Sequence, residues 1–249
     1  MEKRAETLKQ ENDQLKSSIA CRNRMGNIIG KSQKMQEVYE ITARAAFQTS
    51  TIAIYGETGT GKELVAQTVH SLSDRSDKPF VPVNCGAIPE ELFESAFFGH
   101  KKGAFTGAVT DKQGLLCAAQ GGTLFLDEVG ELSLRAQTKL LRALGSGEYT
   151  PVGCENNRKA DFRLVVATNK DLAQMVKQGK FRQDLFYRVH ILPIFLPPLR
   201  DRKEDIPILV KHFLNQFDSS KQMGSKDVGR LILYDWPGNV RELHNVMER

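Results

Sequence analysis

The pattern of hydrophobic and polar positions changes period repeatedly along this chain. Short apolar runs bounded by polar or turn-forming residues predict five strands, and stretches with apolar residues three and four apart predict helices between them. The predicted strands are 51–55, 80–83, 123–126, 164–167 and 189–195. Strands that alternate with helices predict an α/β fold with a parallel five-stranded sheet, whose ligand site lies at the strand ends.

Helix signals divide the rest of the chain. Ser32 is placed to cap a helix to about Ala46, Pro89 to start one, and Ser133 to cap one through Leu144. A turn-rich junction is expected at 24–30, an interruption at 99–114, and a hairpin or loop at 148–157. Beyond Pro197-Pro198 only helical patterns remain, at 206–217, 228–234 and 239–247. We therefore expect an α/β domain over 27–198 and a small helical lid over 199–249.

The first 22 residues form a separate predicted element. Ala5, Leu8, Asn12, Leu15 and Ile19 follow the alternating three- and four-residue spacing of a coiled-coil seam. A parallel dimer and a solvated linker helix are both compatible with three heptads. Since the chain starts inside this helix, we expect it to be a piece of a longer protein.

Composition excludes several classes of protein. The chain has 249 residues, of which 40% are hydrophobic and 26% charged, with a formal net charge of +5. No apolar run reaches the ~18 residues that a membrane-spanning helix needs, and no signal peptide is apparent. The four cysteines are scattered without metal-ligand spacing. These features predict a cytoplasmic protein without a membrane anchor.

The strongest chemical signal follows the first predicted strand. A glycine-rich loop connects that strand to a helix, which is the context in which G-x-x-x-x-G-K is typical of a phosphate-binding loop. Its glycines allow backbone N–H groups to surround an anion at a helix N-terminus. A glycine-rich turn with a surface lysine is the alternative. The loop comprises Gly56, Glu57, Thr58, Gly59, Thr60, Gly61 and Lys62, and Glu63 follows in place of the usual hydroxyl residue.

Polar residues follow the other predicted strands. Asp127 and Glu128 end the third strand, where a P-loop protein holds Mg²⁺ with the first carboxylate and polarises the attacking water with the second. Asn84 ends the second predicted strand and Asn169 the fourth, where a neutral amide could orient the water or sense the phosphate. An acidic pair after a strand is otherwise a helix cap or a solvated turn.

Three arginines are candidates for contacts with phosphate. Arg182 and Arg188 lie six residues apart, and Arg241 follows a Trp-Pro-Gly break near the start of a helix. Ordinary surface arginines are one interpretation of the first two. The other is that they serve a neighbouring subunit as arginine fingers, since phosphoryl transfer needs cationic stabilisation.

Six motifs together carry a specific resemblance. In chain order they are GETGTGKE (56–63), GAFTGA (103–108), GGTLFLDE (121–128), FRQDLFYR (181–188), LPPLRDRKEDI (196–206) and WPGNVREL (236–243). Over about residues 27–249 the chain thereby resembles the NtrC/NifA-type bacterial enhancer-binding proteins, the AAA+ activators of sigma-54 RNA polymerase. GAFTGA is nearly diagnostic of that family, whereas the phosphate-binding loop alone indicates only a P-loop NTPase.

The resemblance implies a role for each candidate residue. It implies that residues 56–63 and Arg241 bind ATP, that Lys62 is the Walker A lysine, and that Asp127, with Mg²⁺, and Glu128 are the Walker B pair. It further implies that Asn169 is sensor I, that Arg182 and Arg188 act in trans, and that Asn84 is a switch partner of Glu128. The implied contact with sigma-54 is the loop Gly103, Ala104, Phe105, Thr106, Gly107 and Ala108.

The loop at 103–108 also has a physical logic of its own. Its two glycines allow the chain to reverse, and its tip presents Phe105 and Thr106. An exposed phenylalanine suits transient docking on a partner. Lys101, Ala96-Phe97 and Leu116-Cys117 depart from the family pattern near this loop, which implies a weaker or different polar relay to it.

The resemblance implies an ATP-hydrolysing motor that assembles as a dimer or as a six- or seven-membered ring and remodels sigma-54 holoenzyme. Sensory and DNA-binding domains are expected outside this chain. A nucleotide-gated sigma-54-binding module without turnover is one alternative, which the catalytic Glu128 and the arginines disfavour. A small-molecule kinase is another, but no acceptor pocket is apparent and GAFTGA would be unexplained.

Overall fold

A parallel five-stranded sheet forms the centre of the fold. The computed structural model describes residues 23–217 and 223–248, so the predicted coiled coil at 1–22 lies outside the described residues. The strands of the sheet are β3 (Ile52–Tyr55), β4 (Phe80–Asn84), β7 (Thr123–Asp127), β10 (Arg163–Thr168) and β11 (Leu192–Phe195). Their spatial order is β11-β3-β10-β7-β4, with every neighbouring pair parallel. The predicted α/β fold class is confirmed.

The burial and the proline content of each strand match its position in the sheet. All six residues of β10, the middle strand, are buried, as expected for a parallel strand covered on both faces. The two edge strands, β4 and β11, contain Pro82 and Pro193, which the edges tolerate because proline cannot donate a hydrogen bond to a neighbouring strand. The chain changes direction across the sheet between β3 and β10, which places a crevice at their carboxyl ends.

Helices cover the sheet on both faces, and two apolar clusters fill the space on either side of it. Ser32, Ser133 and Asp171 cap three of these helices with their side-chain oxygens, each cap contributing about 1 kcal/mol. The helices before the lid are α1 (Gln33–Ala46), α2 (Lys62–Ser71), α3 (Glu90–Phe98), α4 (Leu115–Ala118), α5 (Leu134–Ser146), α6 (Leu172–Lys177) and α7 (Gln183–Val189).

The predicted start of the last strand was wrong. Residues 189–191 were assigned to it, but α7 continues through Val189 and β11 begins at Leu192. Leu185 and Val189 are both buried and lie four residues apart, so they occupy one helical face. A continuous apolar run does not distinguish that face from a buried strand.

Outside the central sheet, the described residues also form three antiparallel pairs of two-residue strands. The expected junction at 24–30 contains the first, β1 (Arg24–Met25) with β2 (Ile28–Ile29). The expected interruption at 99–114 is bounded by β5 (Gly99–His100) and β6 (Lys112–Gln113). Of the hairpin or loop expected at 148–157, the structure has a hairpin, with strands β8 (Glu148–Tyr149) and β9 (Arg158–Lys159), the second just beyond the expected range.

The C-terminal helices have an apolar cluster of their own. A 3₁₀ segment, Leu199–Asp205, leads into α8 (Ile206–Phe217), α9 (Ser225–Leu233) and α10 (Asn239–Glu248). Helix α9 begins three residues earlier than the apolar pattern predicted. Leu199, Leu209, Trp236 and Leu243 are buried together in this cluster. The predicted helices of the lid are present, while the domain boundaries remain predictions.

Candidate functional site: a cleft between the sheet and the C-terminal helices

The glycine-rich loop (residues 56–62) connects β3 to α2 at the crevice of the sheet. Gly59 and Gly61 have φ angles of 80° and 105°, in the left-handed region that favours glycine. Gly61 is the N-cap of α2, so the first turn of that helix begins directly after the loop. The sequence thus places unpaired helix N–H groups and glycine backbone at one point, which is an arrangement suited to binding phosphate.

Lys62 is folded onto its own loop. Its Nζ donates to the carbonyl oxygens of Gly56 at 2.9 Å and Glu57 at 3.2 Å. Burial lowers the pKa of Lys62 below its usual value, while the carboxylates of Asp127 and Glu128 act in the opposite direction and Arg241 acts with burial. The ammonium group therefore lies in the field of both carboxylates, within the cleft.

The two carboxylates lie at the end of β7, the strand between β10 and β4: Asp127 is its last residue and Glu128 follows it. Asp127 accepts a hydrogen bond from the backbone N–H of Glu128 at 2.9 Å. Glu128 itself has a φ of 55°, an uncommon left-handed conformation for a residue with a side chain. Such strain is retained where the position of a side chain matters. Here the residue lines the same cavity as Asp127.

One cavity of about 710 Å³ joins these groups. Besides the glycine-rich loop from Thr58 to Lys62, it is lined by Glu63, Asn84, Asp127, Glu128 and Arg241. The predicted residues of three strand ends and one lid helix are therefore brought together in space.

The rest of the lining of this cavity was not predicted. It comes from the β1–β2 hairpin, the 3₁₀ segment and the C-terminal helices, and it mixes apolar and polar side chains. Arg202 and Val240 lie within two of the motifs but had no predicted role, and the other residues belong to no motif. The full set is Arg24, Asn27, Ile28, Ile29, Arg202, Leu209, His212, Phe213, Gln216, Val240 and His244.

Asn84 lines the cavity, whereas Asn169 lies outside it. Asn169 is the first residue after β10, and its Nδ2 donates to Thr58 Oγ1, in the glycine-rich loop, at 3.2 Å. Asn84 caps the following 3₁₀ turn by accepting from the Gly86 N–H at 2.8 Å. A Cβ built on Gly86 would stand 2.9 Å from Glu128 Oε2 and 3.4 Å from Asn84 Oδ1, so both side chains border that glycine.

Arg182 and Arg188 lie outside this cavity, on exposed positions at the two ends of α7. Arg182 binds Asp184 through Nε and NH2 at 3.0 and 2.7 Å, which raises the pKa of its guanidinium. Arg188 donates to the Leu144 carbonyl at 2.6 Å. Within a single chain, these arginines are directed at neighbouring residues and at solvent.

The GAFTGA loop (residues 103–108) lies between β5 and β6. Gly103 and Gly107 have φ angles of 82° and 100°, and a Cβ on either would meet no atom within 4 Å. Phe105 is 41% exposed and Thr106 is exposed, while Ala108 is buried. The predicted chain reversal and exposed tip are present. A contact with sigma-54 remains a prediction.

Neighbouring residues support the GAFTGA loop at its tip and at its base. At the tip, the Phe105 ring packs edge-on against His100 at a centroid distance of 5.0 Å. The backbone of Lys101 donates to the Val152 carbonyl at 3.0 Å, which joins the base to the β8–β9 hairpin. Lys101, one of the departures from the family pattern, binds Asp111 at 2.6 Å. The basic side chain thus has an acidic partner ten residues further on.

Comparison with known proteins identifies both parts of the chain. The sigma-54 interaction domain matches residues 28–195, and the AAA+ ATPase lid domain matches residues 200–249. The transcriptional regulator NtrC of Azospirillum brasilense is 53% identical over 226 residues, which cover 89% of this chain and 47% of that protein. The Nif-specific regulatory protein of Herbaspirillum seropedicae is 48% identical over 97% of this chain and 46% of its own length.

A solved structure shows the same architecture. NtrX from Brucella abortus, in complex with ATP, has a TM-score of 0.83 and 36% identity, covering 96% of this chain and 56% of that one. The chain spans about half the length of the curated relatives that it matches. Across the described residues, no helix combines the length and apolar character needed to cross a membrane.

Proposed function

This chain belongs to the sigma-54 interaction domain family, with an AAA+ lid, and on that premise we propose that it is an ATP-hydrolysing motor that remodels sigma-54 RNA polymerase holoenzyme. The observation that carries the proposal is the single cavity that joins the glycine-rich loop, two carboxylates and a lid arginine. An acceptor pocket for a second substrate is not needed to explain these groups. Water is therefore the proposed acceptor.

The cavity has the polarity that ATP requires. Lys62, Arg241 and the N-terminus of α2 provide positive charge for the phosphates. In the same lining, Ile28, Leu209 and Phe213 provide apolar surface for a base. We propose that Lys62 exchanges its two carbonyl partners for phosphate oxygens when ATP binds.

Asp127 and Glu128 fit a magnesium-dependent reaction. No group of three or more His, Cys, Asp or Glu side chains is placed to hold a metal within 23–217 and 223–248. Mg²⁺ typically takes one or two carboxylates and completes its coordination with waters and substrate phosphates, which suits Asp127 beside a phosphate-binding loop. When bound there, Mg²⁺ supplies neutralisation of phosphate charge. Glu128 is the proposed general base for the attacking water.

The remaining predicted roles need a second subunit or a partner. We propose that Arg182 and Arg188, which are exposed and outside the cleft, complete the site of a neighbour in a ring. Asn84 and Glu128, which border Gly86 together, are the proposed switch that reports the state of the nucleotide. The exposed Phe105 and Thr106 are the proposed contact with sigma-54. DNA binding is assigned to a domain outside this chain.

Thr106→Ala tests the function because it separates a motor from a plain ATPase. The loop carries no catalytic group, so the variant should hydrolyse ATP at a rate near that of the unmodified protein. It should lose binding to sigma-54 in the presence of a transition-state analogue, because a docking contact depends on a few buried groups. Promoter opening should be lost with it. Phosphate release, sigma-54 binding and open-promoter formation are to be measured on one preparation.

The outcomes separate three functions. Normal promoter opening by Thr106→Ala would exclude the proposed sigma-54 contact. Loss of ATPase activity would place the GAFTGA loop in the catalytic site instead. Absence of phosphate release from the unmodified protein, with nucleotide-dependent sigma-54 binding retained, would favour a binding module without turnover.

A further inference from the structure

The lid is joined to the glycine-rich loop by a buried asparagine. Asn239, the first residue of α10, is fully buried and has a φ of 55°. Its Nδ2 donates to the Thr58 carbonyl at 3.0 Å and to Glu57 Oε2 at 3.2 Å. Its Oδ1 accepts from the Leu199 N–H at 2.7 Å. One side chain therefore connects the lid helix, the chain that enters the lid, and the loop.

Arg200 provides a second connection to the same carboxylate. Its NH1 and NH2 donate to the two oxygens of Glu57 at 2.8 and 2.6 Å. This parallel pair lowers the pKa of Glu57, with a further contribution from Asn239. Two-point guanidinium–carboxylate pairs fix orientation as well as distance. Glu57 is thus held from the lid side by two residues.

The backbone of the lid helix makes a third connection. The N–H groups of Val240 and Arg241 both donate to the Gly59 carbonyl, at 3.0 and 3.3 Å. These belong to the first turn of α10, whose N–H groups have no partner within the helix. A Cβ built on Gly59 would stand 2.3 Å from the Gly238 carbonyl oxygen, so the two backbones are in close contact.

We propose that Glu57, Arg200 and Asn239 form a latch through which the position of the lid sets the shape of the glycine-rich loop. The proposal rests on the proposed function for its substrate, ATP, but the latch itself uses no nucleotide. All three act by positioning the loop: Asn239 holds the Thr58 carbonyl directly, and Arg200 holds Glu57, which is part of the loop. A rotation of the lid must either carry the loop with it or break these bonds. Occupation of the loop and movement of the lid are thereby coupled in both directions.

Two substitutions break the latch in different ways. Arg200→Ala removes the guanidinium from a half-exposed pair, which leaves the buried lid core unchanged. Asn239→Asp keeps the acceptor for the Leu199 N–H but places a carboxylate against Glu57 and the Thr58 carbonyl. Arg200→Lys retains the charge and loses the two-point geometry.

Lys34→Ala is the matched control. Lys34, on α1, binds Asp201 at 3.4 Å, so this pair also joins the core to the 3₁₀ segment that carries Arg200. The side chains of Lys34 and Asp201 are exposed to a similar or greater degree than those of Arg200 and Glu57. Neither Lys34 nor Asp201 belongs to the glycine-rich loop. The control measures how far amide exchange and MgATP affinity change when an ion pair between the core and the lid is lost without any change to the latch.

Amide hydrogen exchange in nucleotide-free protein tests the latch without reference to function. We expect exchange at Val240 and Arg241 to accelerate about tenfold in Arg200→Ala and more in Asn239→Asp, because their bonds to Gly59 open more often. The exchange rate in Arg200→Lys should lie between those of Arg200→Ala and the unmodified protein, and the rate in Lys34→Ala should match the unmodified protein. Unchanged exchange at these two amides in both latch variants would overturn the proposal.

MgATP affinity, measured by calorimetric titration, tests the coupling. We expect affinity to fall about tenfold in Arg200→Ala, with Arg200→Lys intermediate and Lys34→Ala unchanged. Reversing the pair with Glu57→Arg and Arg200→Glu together should recover part of the affinity that either substitution loses alone. Normal affinity in both latch variants would refute the coupling. Failure of the unmodified protein to bind MgATP would refute the proposed function instead, with the exchange result standing separately.

Discussion

The two glycine-bearing loops of this chain differ in why they need glycine. In the glycine-rich loop, Gly59 has both a positive φ and a backbone carbonyl 2.3 Å from where a Cβ would stand. In the GAFTGA loop, Gly103 and Gly107 have positive φ angles but open space around them. Glycine is therefore required by packing and conformation in the first loop, and by conformation alone in the second.

This difference separates a loop that is fixed from one that can change shape. The glycine-rich loop is bonded to the lid from several sides, so its backbone can move only together with the lid. The GAFTGA loop is held at its base, by β5, β6 and the β8–β9 hairpin, while its tip is exposed. A binding site for a small anion needs the first property, and docking on a large partner needs the second.

Replacing one glycine in each loop should give the largest difference between the two loops. Gly59→Ala should lower MgATP affinity at least about a hundredfold and lower the melting temperature, because the methyl group displaces the Gly238 backbone and with it α10. Gly107→Ala should leave MgATP affinity unchanged and cost only the roughly 1–2 kcal/mol of a left-handed alanine. Calorimetric titration and thermal unfolding of both variants provide the measurement. Equal losses of affinity would show that the two loops are not separate in function.

Mixing inactive subunits tests whether the ATPase site around the glycine-rich loop needs a residue from a neighbouring subunit. Lys62→Ala and Arg188→Ala proteins should each lose nearly all ATPase activity, the first for lack of phosphate contacts and the second for lack of the neighbour's arginine. In an equal mixture, a random ring pairs an intact Lys62 with an intact Arg188 at about a quarter of its interfaces. Phosphate release should recover toward that fraction.

The control for the mixing experiment is a mixture of Lys62→Ala with Glu128→Gln. The second variant keeps Arg188 but lacks the proposed base, so no interface should be complete. No recovery from the first mixture, in subunits shown to co-assemble, would contradict a trans role for Arg188. Recovery in the control would contradict the assignment of Glu128.

Local signals in the sequence predicted most of the sheet and the loop after β3. A strand, a glycine-rich turn and a helix start lie within residues 51–65, so their geometry is determined over a short stretch of chain. Asp127 and Asn169 were predicted for a related reason, since the ends of parallel strands meet at one edge. The start of β11 was missed because Leu185 and Val189 continue a helical face into an apolar run.

Long-range contacts were beyond prediction from one sequence. Glu57 and Arg200 are 143 residues apart, and neither residue type at its position indicates the other. The unpredicted part of the cavity lining combines the β1–β2 hairpin with two lid helices, and most of its residues, such as His212 and His244, belong to no motif. Such contacts depend on how the lid packs on the sheet, which local periodicity does not specify.

A smaller effect is expected at the base of the GAFTGA loop, where Asp111 accepts from Lys101 Nζ at 2.6 Å and from the Lys102 N–H at 2.8 Å. Both bonds favour the carboxylate, which holds the pKa of Asp111 below its usual value of about 3.9. A carboxyl whose pKa is depressed in the folded state contributes stability above the unfolded value, and that contribution is lost as the pH falls through the folded value. The loop base should therefore be unaffected between about pH 5 and 8, because even the lower limit lies roughly one unit above the unfolded pKa.

Asp111→Asn should produce at neutral pH the change that acid produces in the unmodified protein. We expect exchange at residues 102–108 to accelerate severalfold, because the Lys102 N–H and the Lys101 side chain lose a charged partner, while MgATP affinity stays unchanged. Hydrogen exchange at neutral pH, compared with Lys101→Met as the variant that removes the other partner, measures this. If the two variants accelerate exchange equally, the ion pair holds the loop base. If only Asp111→Asn does so, the bond from the Lys102 N–H is the one that matters, and Lys101 has no part in positioning Phe105 and Thr106.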